Sequence, residues 1–174
     1  MTTPARTTPA TGRIHYIGRR LLLWASLVLP LAGWLAMAWL MPTVRLASWT
    51  SLVWRGVGTN AGMTTLLFAL LLFPALEEFI FRRHLLLTLV SWLQRAGSGW
   101  RLPAWCFPAL ANVLCSLAFS ALHWPVHGVT YAGAVFVPSL VLGCIFLSYR
   151  SLPLTTAVHA YWNGLYLLFA SSLI

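Results

Sequence analysis

Acidic side chains are almost missing from this chain. Glu77 and Glu78 are the only two among 174 residues, and there is no Asp. Lysine is absent too, so the net charge of +9 rests on eleven arginines. Charged residues make up 7% of the sequence and hydrophobic ones 60%, a balance that excludes an ordinary soluble domain. Cysteine is scarce: Cys106, Cys115 and Cys144 are odd in number, form no Cys-x-x-Cys, and lie within apolar runs. That excludes a disulfide framework and a zinc ribbon and predicts inert buried thiols. Ten-residue segments of alternating polarity are missing, which argues against a transmembrane barrel. There are no internal repeats, and the inverted repeat of many secondary transporters is absent as well.

What is present is a series of apolar runs that approach or exceed the length needed to cross a bilayer. The expected fold is all-α: a polytopic transmembrane helical bundle of about five spans, with six as the alternative. Residues 1–20 are polar and basic and read as a flexible cytoplasmic tail. Residues 21–60 read as the first span (21–41) followed by an interfacial segment, where Leu46, Trp49 and Val53 recur at helical spacing. Ala36-Met37-Ala38 has the form of a signal-peptidase site, but the apolar run continues through Trp39-Leu40-Met41, which predicts an uncleaved span. Residues 61–174 form the core. A long helix over 61–94 is interrupted only by Pro74, a kink just before the two Glu. A loop follows over Gln94–Leu102, then a span from Pro103 to Trp124. A tight His-Trp-Pro-Val-His-Gly turn separates it from spans over Val129–Tyr149 and Leu152–Ser172.

With the N-terminus inside, nine arginines fall on the cytoplasmic side and only Arg45 and Arg55 outside, in keeping with the positive-inside rule. Most tryptophans gather near span ends, as belts at headgroup depth. The arginines then serve as topology signals and lipid contacts, and nucleic acid is not an expected partner. The lack of lysine hints at a bacterial source, and the expected location is the bacterial inner membrane.

A charge at mid-bilayer costs roughly 2.5–3.5 kcal/mol on insertion scales, so intramembrane ionisable residues read as functional or paired. Glu78 and Arg82 stand at i and i+4, the favourable order for a helical ion pair, while Glu77 points about 100° away. Phe119 and His123 share one helical face, as do His159 and Asn163. Each feature has a plain structural explanation: an intramembrane His bonded to a carbonyl, or an ion pair that only neutralises a buried charge. Their combination on three separate spans carries more. His84 and His127 read as interfacial, and His15 lies in the tail.

The order Glu77-Glu78-Phe79-Ile80-Phe81-Arg82, then Phe119-Ser120-Ala121-Leu122-His123, then His159-Ala160-Tyr161-Trp162-Asn163 resembles the CPBP intramembrane proteases. That family includes the CAAX prenyl-protein endopeptidases and the bacterial Abi and bacteriocin-immunity proteins. The resemblance covers about residues 62–172, with one span between the second and third motifs as in the family. Arg83 stands where a Gly is usual, and no span follows the one bearing His159.

The resemblance implies a glutamate-dependent peptidase without a cofactor. Glu77 would act as general base on a water, helped by His123, and His159 with Asn163 would donate to the oxyanion. Glu78, Arg82 and Phe119 would support them. Zn²⁺ on Glu77, His123 and His159 is the alternative, although the His-Glu-x-x-His spacing is absent. The expected partner is a protein or peptide in the membrane, such as a sorting tail, a leader or a bacteriocin-like peptide. Two rival readings are a non-catalytic immunity or binding protein using the same pocket, and a proton or ion transporter.

Overall fold

A computed structural model describes residues 9–40, 64 and 66–169, with side chains over 17–33, 64 and 66–167. The described residues are helical throughout apart from short connections, and no strand occurs among them. Helix α1 spans Pro9–Leu40. A π-helical segment, Phe68–Leu72, leads into α2 (Phe73–Glu78), and a second one, Phe79–Leu86, leads into α3 (Leu87–Ala96). Leu72, Phe73, Glu78, Phe79, Leu86 and Leu87 all keep right-handed helical φ and ψ, so these four pieces form one continuous rod. Helix α4 runs Cys106–Tyr149 and α5 Leu152–Phe169.

Helix α4 is two arms. Gly128, at φ 82° and ψ 168°, is the one non-helical residue inside it. Beyond this break the chain doubles back: Asn112 Nδ2 donates to the Leu140 carbonyl at 2.9 Å, and Ser120 Oγ donates to the carbonyl of Ala132. Cys106 and Tyr149 therefore lie at one end of the hairpin and Gly128 at the other. The six-residue turn expected from the sequence contracts to this one glycine, and helix continues through His127. A positive φ paired with an extended ψ is a region that glycine alone enters readily. Gly128→Ala should destabilise the protein by roughly 1–3 kcal/mol even though nothing lies near the added methyl. Gly133→Ala, equally uncrowded but in regular helix, is the control for thermal melting in detergent.

Two clusters form the core. Phe81, Leu86, Leu93, Phe107, Cys115, Phe119 and Phe146 pack the rod against both arms of α4. Leu142, Ile145 and Val158 join the second arm to α5, with Leu22, Leu23 and Leu27 of α1 covering them. Among the described residues, α4 is the one helix long and apolar enough by itself to cross a membrane, with a mean hydropathy of 2.0 in its best window. All three cysteines are free; Cys115 is buried as expected, whereas Cys106 is half-buried and Cys144 exposed on the helix surface.

Helix α1 begins at Pro9, so the second half of the stretch expected as a flexible tail is helical. Proline suits the first turn of a helix, where its missing N–H has no partner to lose. Further along, Pro30 leaves the carbonyl four residues back, Ser26, without its helical donor. Trp162 Nε1 supplies one at 2.8 Å, and Tyr161 Oη donates to the adjacent Leu27 carbonyl at 2.8 Å. Trp162→Phe keeps the ring contact but orphans that carbonyl, at an expected cost of about 1–3 kcal/mol in the melting free energy. The expected interfacial helix over 42–60, with Arg45, Trp49, Trp54 and Arg55, lies outside the described residues, as does the end of the fifth expected span.

Candidate active site

The helical rod brings both acids to one imidazole. Glu78 lies at the end of α2 and Arg82 one turn later, and both side chains are 0% exposed. Arg82 Nε donates to Glu78 Oε2 at 3.2 Å, which gives the expected i, i+4 pair. His159, from the middle of α5, places Nδ1 2.9 Å from Glu78 Oε1. Its other nitrogen, Nε2, lies 3.4 Å from Glu77 Oε2. Glu77, turned away from Arg82, thus shares His159 with Glu78, because two long side chains from adjacent residues converge on a ring set between them.

The two carboxylates differ in what is left to them. Both oxygens of Glu78 are engaged, one by Arg82 and one by His159, and water has no access to it. Glu77 is 31% exposed. Geometry alone therefore separates an anchoring acid from an accessible one.

Arg82 has further duties. Its guanidinium donates to Ser139 Oγ at 2.9 Å and to Cys115 Sγ at 3.5 Å, and Cys115 in turn donates to the Phe81 carbonyl at 3.1 Å. One buried cation thereby ties the rod to both arms of α4. A buried charge is tolerated only when such partners neutralise and bond it. Ser139 was not singled out in the sequence, and Cys115 was expected only as an inert buried thiol. The signal for Ser139 was a hydroxyl within an apolar run, in a protein whose buried arginine has more donors than one carboxylate accepts.

Phe119 fills the space between the two histidines. Its ring centre lies 4.4 Å from that of His123 and 6.2 Å from that of His159, and Arg82 sits 5.8 Å above its face. His123 Nδ1 is 2.8 Å from the Phe119 carbonyl. A carbonyl only accepts, so Nδ1 carries a hydrogen, and in the neutral ring Nε2 holds the lone pair. His123 and Glu77 are electrostatic neighbours. Tyr131, on the returning arm, neighbours Glu77 as well and makes tilted ring contacts with His123 and His127. Sequence reading passed over Tyr131, whose position beside the site depends on the reversal at Gly128.

Asn163 has a specific task. In the π-helical segment Phe73 N–H bonds to the Phe68 carbonyl, five residues back. The next donor in that register would be Pro74, which has no N–H, so the Ala69 carbonyl loses its partner. Asn163 Nδ2 donates to it at 3.1 Å. Consecutive residues of α5, Trp162 and Asn163, therefore satisfy carbonyls released by two different prolines. An amide carries two N–H donors, and this bond occupies one of them.

The structure thus gathers Glu77, Glu78, Arg82, Phe119 and His159 into one contact set. His123 joins through the Phe119 ring and Asn163 stands one turn along α5. Among the described residues no three His, Cys, Asp or Glu side chains are grouped to hold a metal ion.

The family model for type II CAAX prenyl endopeptidases, Rce1-like, matches residues 59–165, more than half of the chain. The chain belongs to this family. The match agrees with the resemblance to the CPBP proteases and spans all three motifs. No curated protein and no solved structure matches the chain. Rce1-like proteins are membrane proteins, and membership in a peptidase family points to endopeptidase activity on a protein or peptide substrate.

Proposed function

We propose that this protein is a glutamic intramembrane endopeptidase in which Glu77 activates a water. The observation that carries this reading is the division between the acids: Glu78 is sealed between Arg82 and His159, and Glu77 remains accessible beside the same imidazole. Glu77 takes a proton from water as the oxygen attacks the scissile carbonyl carbon. The same proton then passes to the leaving amine as the C–N bond breaks, so the step balances with water alone. His123, with the Nε2 lone pair directed away from its carbonyl partner, assists at the water. The second N–H of Asn163 receives the developing oxyanion, where one donor is typically worth about 2.7–4 kcal/mol; His159 joins it through Nε2 once Glu77, 3.4 Å away, has taken the proton and releases that nitrogen. Glu78 and Arg82 hold His159 in place.

The reading is metal-free. Its support is that Glu77, His123 and Asn163 supply the base, the assisting imidazole and an oxyanion donor with water as the sole co-reactant. Each arm of α4 is about 20 residues, the length a bilayer core requires. With α1, the helical rod and α5 this length supports a five-span bundle, which we place in a bacterial inner membrane with a cytoplasmic N-terminus.

The test is hydrolysis of a peptide library by the purified protein in lipid nanodiscs. Cleavage should disappear in Glu77→Gln and His123→Ala and persist after dialysis against a chelator. Chelator-sensitive cleavage restored by Zn²⁺ would replace the metal-free mechanism with a zinc one.

A further inference from the structure

The bundle has two unlike ends. The hydrogen bonds between Asn112 and Leu140 and between Ser120 and Ala132 run α4's arms antiparallel, which sets Cys106 and Tyr149 together and Gly128 opposite. The arginines gather at the first end. Arg19 sits 4.6 Å above the Tyr149 ring, Arg20 follows it, and Arg150 caps α4. Arg95 lies in the last turn of α3, and Arg101 lies in the loop that leads from there to Cys106. Around the Gly128 end, residues 122–131, 66–72 and 160–167 contain no arginine. Arg82 and Arg83 lie within the rod and belong to neither end.

The site is closed toward the arginine end and open toward the other. Beneath Glu78, on the arginine side, Arg82, Leu86, Cys115, Ser139, Ile145 and Thr155 are all fully buried. Above it the rings of Phe119, His123, His127, Tyr131 and Tyr166 form an unbroken series of contacts that leads outward, and His127 and Tyr166 are exposed. Glu77, the accessible acid, lies on this side as a neighbour of both His123 and Tyr131.

Positive loops mark the cytoplasmic face of a membrane protein. Five arginines stand at the closed end. Arg45 and Arg55 lie in 41–63, outside the described residues. Among the described residues the bias is to the closed end.

We infer that the active site opens at the non-cytoplasmic face of the membrane, so that its substrates are peptide segments already translocated across the bilayer and held beside it. This deepens the proposed peptidase reading and rests on it. The histidine- and tyrosine-lined mouth around Gly128 is then where the chain to be cut enters, and segments that end in the cytoplasm are not substrates.

The experiment is cysteine labelling in intact spheroplasts with a membrane-impermeant maleimide. The background carries Cys106→Ala and Cys144→Ala and keeps the buried Cys115. Val126→Cys and Val129→Cys report the open end, and Trp100→Cys and Leu102→Cys the arginine end; all four positions are well exposed. The first pair should react in intact spheroplasts as fully as after permeabilisation, and the second pair only after permeabilisation. Reaction of Trp100→Cys or Leu102→Cys in intact spheroplasts, or protection of Val126→Cys and Val129→Cys until permeabilisation, overturns the inference.

Labelling needs no activity, so its outcome is independent of the peptidase reading. Conversely, Glu77-dependent cleavage mapped to cytoplasmic flanks of substrate spans would leave the peptidase standing and remove the orientation.

Discussion

Glu77→Gln should lower peptide hydrolysis by about 10²–10⁴-fold, the usual contribution of a positioned general base, while the protein stays folded. The carboxamide keeps the shape of the acid but replaces one acceptor oxygen with an NH₂ donor and does not take a proton from water. Stability should hold because Glu77 is partly exposed and the buried chain from His159 through Glu78 to Arg82 does not depend on it. Initial rates at matched protein, with a melting curve for each variant, are the measurement. Glu78→Gln should behave differently. It leaves Arg82 buried beside a neutral partner, so melting falls together with activity. Equal melting losses in the two variants would mean that the acids are not divided as proposed.

The second large effect concerns Arg82. Arg82→Met leaves Glu78 as a buried charge with one partner and deprives Ser139 of its donor. Breaking a buried pair in this way typically costs about 3–5 kcal/mol. Removing both charges is a different matter, because replacing a whole buried pair with apolar residues is often neutral or stabilising. The double variant Arg82→Met/Glu78→Leu should therefore regain much of the lost stability and remain inactive, since His159 has lost its anchor. Chemical unfolding of wild type, both single variants and the double variant completes the cycle. If the two single losses simply add, the pair is not energetically coupled.

Much of the site was legible because its residues are the exceptions in an apolar chain. Two acids, an arginine one turn on, and histidines at helical spacing identify themselves against a background with so little charge. Helical class followed from composition, and the pairing of Glu78 with Arg82 followed from spacing alone. Other features depend on contacts between elements. The π-helical segments alter the register of the rod, and no local pattern announced them. The reversal was read as the six residues His123–Gly128, yet Pro125 is accommodated within the helix and Gly128 alone carries the turn. Asn163 was expected to face an oxyanion only. Its bond to Ala69 follows from a proline on a different helix, and Trp162 does the same for Pro30 of α1. The separate roles of Glu77 and Glu78 were expected from the spacing of Arg82 and the family resemblance, but their unequal exposure was not legible, because adjacent residues acquire it only once Arg82, Ser139 and His159 have closed around one of them.

The most direct test of the central claim requires no guess about the substrate. Membrane-protein termini are compared by mass spectrometry between cells carrying wild type and cells carrying Glu77→Gln at matched levels. Proteolysis by this site predicts new termini in the wild type alone, on proteins that accumulate uncut in the variant. Identical termini in both, with the variant retaining the wild-type phenotype, would contradict the account and leave a binding protein that uses the same pocket.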